Sequence, residues 1–215
     1  KNLTFIIDFD STFITVETLD EYAKLTLNNN ANKIKNIEEI TNNAMNGKID
    51  FREALAKRLN ILKFKKNNLK NFINHIKTKI SRSFISNQKF IKENDVYIVS
   101  GGFKEIIEPI VQPFGINSNK IFANSFIFEN DLAIDFDKNE IMAGETGKVD
   151  VLSHLNLNKK IIVIGDGYTD YQMKKMGKAD LFIAYIESIK RKNVIKNADF
   201  TANSFNEIVE YIKNL

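Results

Sequence analysis

The chain has 215 residues, of which 43% are hydrophobic and 27% charged, a composition typical of a globular domain with a modest insertion. It contains no cysteine, which excludes disulfides, thiolate-bound metals and a thiol nucleophile, and no apolar run approaches the about 20 residues of a membrane span. The net charge of +4 comes from 31 basic and 27 acidic residues that are scattered along the chain. We therefore expect no nucleic-acid partner and no membrane partner, no signal peptide before the first apolar run, and a cytoplasmic location.

The first predicted elements are one strand and a set of helices. Residues 3–7 form a short apolar run, typical of a buried strand, that stops at Asp8 and Asp10. From residue 15 to residue 80, apolar residues recur at the spacing of amphipathic helices, and neither of the two prolines interrupts them. The predicted helices cover residues 16–27, 34–40, 55–62 and 69–80. The sequence thus predicts a small helical module inserted after the first strand.

Strand signals return after this module and alternate with helices. The predicted elements are a strand at 96–99 that ends at Ser100, a helix at 103–114 kinked at Pro109, a hairpin of 121–128 with 132–136, strands at 161–164 and 181–184, and a closing helix at 205–215. This alternation predicts an α/β protein with a parallel sheet. The predicted domains are a discontinuous core of residues 1–14 and 82–215 and an inserted helical module of residues 15–81.

Three of the predicted strands end in polar residues, and the carboxyl ends of parallel strands are where ligands bind. Asp8 and Asp10 are two apart, so on an extended chain their side chains point to the same side. Asp166 and Asp170 follow a later strand. Crowded carboxylates need a cation or a shared proton, and an all-oxygen site without a His or Cys cluster suits Mg²⁺ before Ca²⁺ or zinc.

This set of groups also suits phosphoryl transfer. A carboxylate beside Mg²⁺ can attack a phosphoryl group, and a second carboxyl can protonate the leaving oxygen. The phosphate oxygens need donors, which the Ser100 hydroxyl, the amides of Gly101 and Gly102, and the side chain of Lys148 would supply.

At this point the motifs resemble those of a known family. Four motifs in this order, spread over the whole chain, look like those of the haloacid dehalogenase superfamily of phosphatases. They are Asp8-Phe9-Asp10-Ser11-Thr12, Ser100-Gly101-Gly102, Lys148, and Gly165-Asp166-Gly167-Tyr168-Thr169-Asp170. The resemblance implies a Rossmann-like parallel sheet core with a small four-helix-bundle cap inserted after the first strand.

Within the superfamily, residues 17–21 and 44–58 are similar to the opening and the cap of phosphoserine phosphatases. The resemblance implies that Asp8 is the nucleophile that forms an aspartyl-phosphate and that Asp10 is the general acid and then the general base. It further implies that Mg²⁺ is held by the side chains of Asp8 and Asp166 and by the backbone carbonyl of Asp10. Asp170 would orient Lys148 and a metal-bound water, and Lys148 with Ser100 would hold the phosphate.

The same resemblance implies O-phospho-L-serine as the small-molecule substrate. Glu17 would pair with the substrate ammonium, and Arg58 would bind its carboxylate with a planar fork of donors. Met45 and Phe51 would close an apolar lid that excludes water. Thr169 stands where an Asn is common in this family, and its hydroxyl can still donate to phosphate, whereas the neighbouring Tyr168 would narrow the pocket.

Three alternatives remain open from the sequence. The same chemistry could act on another small phosphorylated metabolite, or it could transfer the phosphoryl group to an alcohol instead of water. A non-catalytic, receiver-like domain would keep a slow-decaying phosphoaspartate, and Asp10 argues against it because a second acid favours turnover. Both a monomer and a homodimer are compatible with the sequence.

Overall fold

The centre of the molecule is a parallel sheet. The computed structural model describes residues 2–215, and Lys1, where the predicted core segment begins, lies outside the described residues. The strands in chain order are β1 (Leu3–Ile7), β2 (Asp95–Phe103), β3 (Ile121–Asn124), β4 (Phe126–Glu129), β5 (Leu132–Phe136), β6 (Lys160–Gly165), β7 (Leu181–Tyr185) and β8 (Phe200–Ala202). Within the described residues, six of them form one sheet in the order β3-β2-β1-β6-β7-β8, with every neighbouring pair parallel. The α/β class with a parallel sheet is confirmed.

Helices flank this sheet and make up the insertion. In chain order they are α1 (Thr18–Thr26), α2 (Ala31–Met45), α3 (Phe51–Leu62), α4 (Leu69–Lys77), α5 (Arg82–Ser86), α6 (Gln88–Glu93), α7 (Lys104–Val111), α8 (Gly147–Leu155), α9 (Tyr168–Lys175), α10 (Lys192–Ile195) and α11 (Phe205–Lys213). Capping side chains define several starts: Asn30 accepts from the backbone of Lys33 at 3.0 Å and Asp50 from that of Glu53 at 3.0 Å. The four helices predicted before residue 81 correspond to α1 through α4.

The inserted helices pack on each other and on the sheet domain. Helices α1, α2 and α3 contact one another, and α4 contacts both α7 and, through Phe72, the ring of Tyr22 on α1. The chain enters and leaves the insertion along two adjacent segments. Thr15 N donates to Lys79 O at 2.8 Å, and Ile14 is bridged to Ile80. The assignment of residues 15–81 as a separate cap domain stays a prediction.

Two predicted elements differ from the structure. The predicted hairpin strand at 121–128 is two strands, because only Phe126–Glu129 pairs antiparallel with β5, while Ile121–Asn124 joins β2 as the parallel edge strand. The break falls at Ser125, directly after Asn124, whose side-chain Nδ2 donates to the carbonyl of Gly101 at 3.0 Å. The strand predicted to end at Ser100 instead continues to Phe103. Helices α5, α6, α9 and α10 and strand β8 were not predicted.

The lengths and polarity of the helices show whether any of them could cross a membrane. Among the described residues, no helix combines the length and the apolar character that crossing a membrane requires.

Candidate active site

The acids after β1 sit on an unusual turn. Residues Phe9–Phe13 form one wide helical turn, closed by Ile14 N donating to Phe9 O at 3.1 Å. Ser11 adopts the left-handed region with φ of 54°, and its N donates to Val16 O at 3.0 Å. The expectation of an extended chain after Asp8 is therefore wrong in its local conformation. The turn nevertheless places the side chains of Asp8 and Asp10 at the wall of the same cavity.

A buried lysine joins two of the predicted acids. Lys148, in the first turn of α8, donates to Asp170 Oδ1 at 2.6 Å and lies 3.0 Å from Asp8 Oδ1. Burial alone would lower the pKa of Lys148, but the carboxylates of Asp170 and Asp8 outweigh it and raise that pKa. Gly165 allows this packing, because a Cβ there would lie 2.2 Å from Asp170 Cγ. Lys148 therefore stays a cation in the cavity wall.

The residues present fit a divalent cation. Carboxylate oxygens of Asp8, Asp166 and Asp170, all buried, lie within 4.8 Å of one another. Burial, followed by the charges of Glu17 and Asp8, raises the pKa of Asp166 to about 7. In the part of the chain that the structure describes, six acids share this region with three cations. The acids are Asp8, Asp10, Glu17, Asp20, Asp166 and Asp170, and the cations are Arg58, Lys148 and Arg191. This negative excess and the hard oxygen donors suit Mg²⁺.

Asp10 is placed to carry a proton. Its Oδ1 accepts hydrogen bonds from Thr18 N at 2.9 Å and from the Thr18 hydroxyl. Burial raises its pKa to about 7, with the charge of Asp8 adding to the rise and the bonds from Thr18 opposing it. A carboxyl with this pKa is partly protonated near neutral pH, as a general acid requires.

The crowded acids predict a pH-dependent stability of the metal-free protein. The pKa values of about 7 for Asp10 and Asp166 and about 8 for Glu17 lie above those of the unfolded chain, so the folded state holds protons that the unfolded state has released. Stability must then fall as the pH rises. We expect the Tm of EDTA-treated protein to fall by at least about 4 °C between about pH 6 and pH 8, and added Mg²⁺ to restore it at the higher pH.

Differential scanning calorimetry across this pH range is the measurement. Glu17→Gln keeps an acceptor for Ser11, whose hydroxyl donates to Glu17 at 2.7 Å, and removes one of the three acids, so it is expected to flatten the slope. A Tm that stays level or rises with pH in the wild-type chain would contradict the crowding described here.

The predicted phosphate donors line the same cavity. Ser100 Oγ accepts from Gly102 N at 3.0 Å, which fixes this loop. Gly101 is required by close approach, because a Cβ there would lie 2.0 Å from the ring of Phe51. The lining residues are Asp8, Asp10, Thr18, Leu19, Met45, Phe51, Leu55, Arg58, Ser100, Gly101, Gly102, Phe103, Lys148 and Thr169.

Thr169 carries a buried hydroxyl at this cavity whose Oγ1 has no hydrogen-bond partner among the described residues. An unpaired buried hydroxyl costs stability unless a ligand satisfies it. We expect Thr169→Val, which keeps the shape, to leave Tm unchanged or raised while lowering kcat/KM by about tenfold. Thermal denaturation and steady-state kinetics of the same preparation check both halves. Thr26→Val, at an exposed threonine of α1 that does not line the cavity, is the control, and unchanged kcat/KM in Thr169→Val would remove this hydroxyl from ligand binding.

Helices of the insertion supply the other wall. Arg58 is buried, and its guanidinium donates through Nη1 to Thr41 Oγ1 at 3.1 Å and through Nε to Ala54 O at 3.3 Å. Met45 and Phe51 line this cavity, and their role as an apolar lid stays a prediction. Tyr168 is not part of this wall. Its ring packs against Gly47, where a Cβ would lie 2.9 Å from Tyr168 Cδ1.

The positions of two buried residues near the cavity, Glu17 and Arg191, differ from what the sequence indicated. Of the predicted substrate residues, Glu17 alone does not line the cavity; its carboxylate lies 3.7 Å from Arg191 Nη2, and burial raises its pKa to about 8. Arg191, which no motif singled out, is buried and donates from Nε to Asp166 Oδ2 at 3.2 Å. The one sequence pattern that could have indicated its burial is the three-residue spacing from Arg191 to Val194, which is typical of residues on one face of a helix, and Val194 is also buried.

Known proteins resemble this chain in sequence and in structure. The sequence profile of haloacid dehalogenase-like hydrolases matches residues 5–175. The phosphoserine phosphatase of Arabidopsis thaliana, described as chloroplastic, is 34% identical over 94% of this chain and 69% of its own length. A phosphoserine phosphohydrolase-like protein from Francisella tularensis has a TM-score of 0.90 at 33% identity, over 97% of this chain and 99% of that one.

A third relative is a solved phosphoserine phosphatase complex described as substrate bound. It has a TM-score of 0.79 at 28% identity and covers 98% of both chains. These matches confirm the resemblance drawn from the motifs. The chain therefore belongs to the haloacid dehalogenase-like hydrolases and, within them, to the phosphoserine phosphatases, a family of phosphate-ester-cleaving enzymes.

Proposed function

We propose that this chain hydrolyses O-phospho-L-serine to L-serine and phosphate with bound Mg²⁺. The observation that carries the proposal is the placement of Asp8, Asp10 and Arg58 around one cavity closed by Phe51. The name of the substrate-bound relative supports phosphoserine as the ester.

The proposed reaction uses three side chains at this cavity. An Asp8 carboxylate oxygen attacks phosphorus and displaces the serine oxygen, which takes the proton held by Asp10. Asp10 then removes a proton from a water that attacks the aspartyl-phosphate, and phosphate leaves with Asp8 regenerated. Lys148, beside Asp8 at 3.0 Å, stabilises the charge that builds on the phosphoryl oxygens.

Mg²⁺ would be held by the side chains of Asp8 and Asp166 and by the backbone carbonyl of Asp10, and when bound it neutralises charge on the phosphoryl oxygens. Asp170 belongs to the same cluster of carboxylates, and its bond to Lys148 keeps that cation in place. Asp170 is thus proposed to orient Lys148 and a water, not to contact the substrate.

The proposal is tested by phosphate release with Mg²⁺ and with EDTA. The substrates are O-phospho-L-serine, phosphoethanolamine, which lacks the carboxylate, and phosphoglycolate, which lacks the ammonium. We expect phosphoserine to lead by orders of magnitude and EDTA to stop the reaction. A lead by another ester would contradict the substrate assignment, and full activity in EDTA would contradict the metal. An added alcohol that captures the phosphoryl group would identify transfer in place of hydrolysis.

Arg58 is proposed to bind the substrate carboxylate, so its replacement should discriminate between substrates. Arg58→Lys keeps the charge but loses the planar fork, and we expect KM for O-phospho-L-serine to rise about tenfold or more. KM for phosphoethanolamine should change little. Arg52→Lys, on the same helix but paired with exposed Glu145 at 2.8 Å, is the control. Equal effects of Arg58→Lys on both substrates would place Arg58 outside the substrate site.

A further inference from the structure

Arg191 joins three parts of the molecule through one buried side chain. It lies between β7 and α10 and is 5% exposed. Its Nε donates to Asp166 Oδ2 at 3.2 Å, at the cluster of acids. Its Nη1 donates to Asn42 Oδ1 at 3.1 Å, on helix α2 of the insertion. Its Nη2 lies 3.7 Å from Glu17 Oε1, at the start of α1. A residue of the sheet domain thus contacts both an acid of the site and two helices above it.

The shape of the guanidinium makes these contacts interdependent. The group is planar, so the directions of its donors are fixed relative to one another, unlike those of a lysine ammonium. If α2 moved away, Nη1 would lose the acceptor that fixes its direction. Nη2 already lacks a hydrogen bond to any residue that the structure describes. The guanidinium therefore keeps its orientation toward Asp166 only while α2 stays in place.

We propose that Arg191 is a positioning residue that couples closure of the inserted helices to the placement of the Asp166 carboxylate, through the planar geometry of its guanidinium. Asp166 is in turn a metal ligand in the proposed function, so the metal half of this inference rests on that proposal. The part of the inference that concerns the contact between Arg191 and α2 does not depend on the proposed function.

Arg191→Lys separates geometry from charge, because the cation is kept and the fork is lost. We expect faster amide hydrogen exchange in α2 of the metal-free protein. Affinity for Mg²⁺, measured by calorimetry, should fall about tenfold or more, as is common when a group that orients a metal ligand is changed. KM for O-phospho-L-serine should rise as well. If charge alone mattered, this variant would behave as the wild type in all three measurements.

Asn42→Ala removes only the contact on the side of the inserted helices. We expect exchange in α2 to rise and KM to increase about threefold to tenfold. Mg²⁺ affinity should fall by about threefold, less than in Arg191→Lys, because Arg191 keeps its fork but loses the contact that fixes its orientation toward Asp166. Asn36→Ala, an exposed position on the same helix, is the matched control and should change none of these values. Asn42 is exposed at the surface, so this variant is expected to fold even if Arg191→Lys does not.

Exchange in α2 and Mg²⁺ affinity together decide the coupling. Faster exchange and weaker Mg²⁺ binding in Asn42→Ala but not in Asn36→Ala support it, and either value unchanged in Asn42→Ala overturns it. Unchanged Mg²⁺ affinity in Arg191→Lys overturns the link to Asp166. These outcomes differ from a failure of the proposed function, which would be a wild-type chain that neither binds Mg²⁺ nor releases phosphate, with the effect of Asn42→Ala on α2 still present.

Discussion

Asp8→Asn is expected to lower phosphate release by at least about 10⁴-fold, the scale at which loss of a nucleophile acts. An amide does not attack phosphorus as a carboxylate does, so no aspartyl-phosphate forms. The side chain keeps its shape, and an oxygen at this position can still accept from Phe9 N, as Asp8 does at 2.8 Å. We therefore expect the fold to be retained, with phosphate release and the circular dichroism spectrum measured on the same sample.

The matched control for this substitution is Asp150→Asn, an exposed aspartate on α8. It makes the same chemical change in the same helix that carries Lys148 and should keep wild-type activity. A folded Asp8→Asn variant with wild-type turnover would exclude Asp8 as the nucleophile. An unfolded one would leave the decision to trapping of a phosphoryl group on Asp8 in the wild-type chain, where the absence of any modified Asp8 would contradict the mechanism.

Lys148→Met is expected to affect both activity and stability. The lysine is 6% exposed and lies between Asp8 and Asp170, so its removal leaves two buried carboxylates without their shared cation. Breaking a buried pair in this way costs about 3–5 kcal/mol, which corresponds to a fall in Tm of about 10 °C for a chain of this size. Because Lys148 is proposed to stabilise the charge on the phosphoryl oxygens, its loss should also lower kcat by about 10³-fold.

Lys174→Met is the comparison that shows how much of the effect of Lys148→Met is due to burial of the ion pair. Lys174 also forms an ion pair at 2.6 Å, with Asp199, but its side chain is 30% exposed. Such exposed pairs contribute about 0–1 kcal/mol, so Tm should change by no more than a few degrees. Calorimetry and kinetics of the two variants side by side give the result. Equal stability of both would mean that Lys148 is not the buried counter-ion described here.

The sequence predicted the sheet and its catalytic edge because those signals are local. Residues 3–7 and 161–164 are apolar runs that end in acids, and each becomes a central strand whose carboxyl end carries the site. The helices of the insertion were predicted because their apolar spacing persists over several turns. Such repeated patterns predict that a strand or helix is present, even where they do not predict the residues at which it begins and ends.

The break inside residues 121–128 was not predictable by the same means. Two apolar stretches, 121–123 and 126–128, flank the polar pair Asn124-Ser125, and such a pair does not show whether a strand continues or changes its partner. What divides them is a contact far away in sequence, between the side chain of Asn124 and the carbonyl of Gly101. A tertiary hydrogen bond of this kind leaves no trace in local periodicity.

Arg191 was missed for a similar reason. It stands between Lys190 and Lys192, and a run of three cations is typical of a solvated surface. Both lysines are indeed exposed, while the arginine is buried against Asp166. Only the folded chain distinguishes these three neighbours, because their difference lies in what faces them and not in their own chemistry.

The paired chain segments at the base of the insertion have a consequence for how such proteins diversify. Ile14 and Ile80 are bridged neighbours, so the insertion begins and ends at almost the same point in space. Since bridged residues lie about 5 Å apart, a turn of a few residues could replace the whole insertion without displacing β1 or β2. A gene with this arrangement can acquire, lengthen or exchange the inserted stretch in a single recombination event. Selection can then change which molecules reach the cavity while Asp8 and Asp10, which precede the insertion, are inherited unaltered.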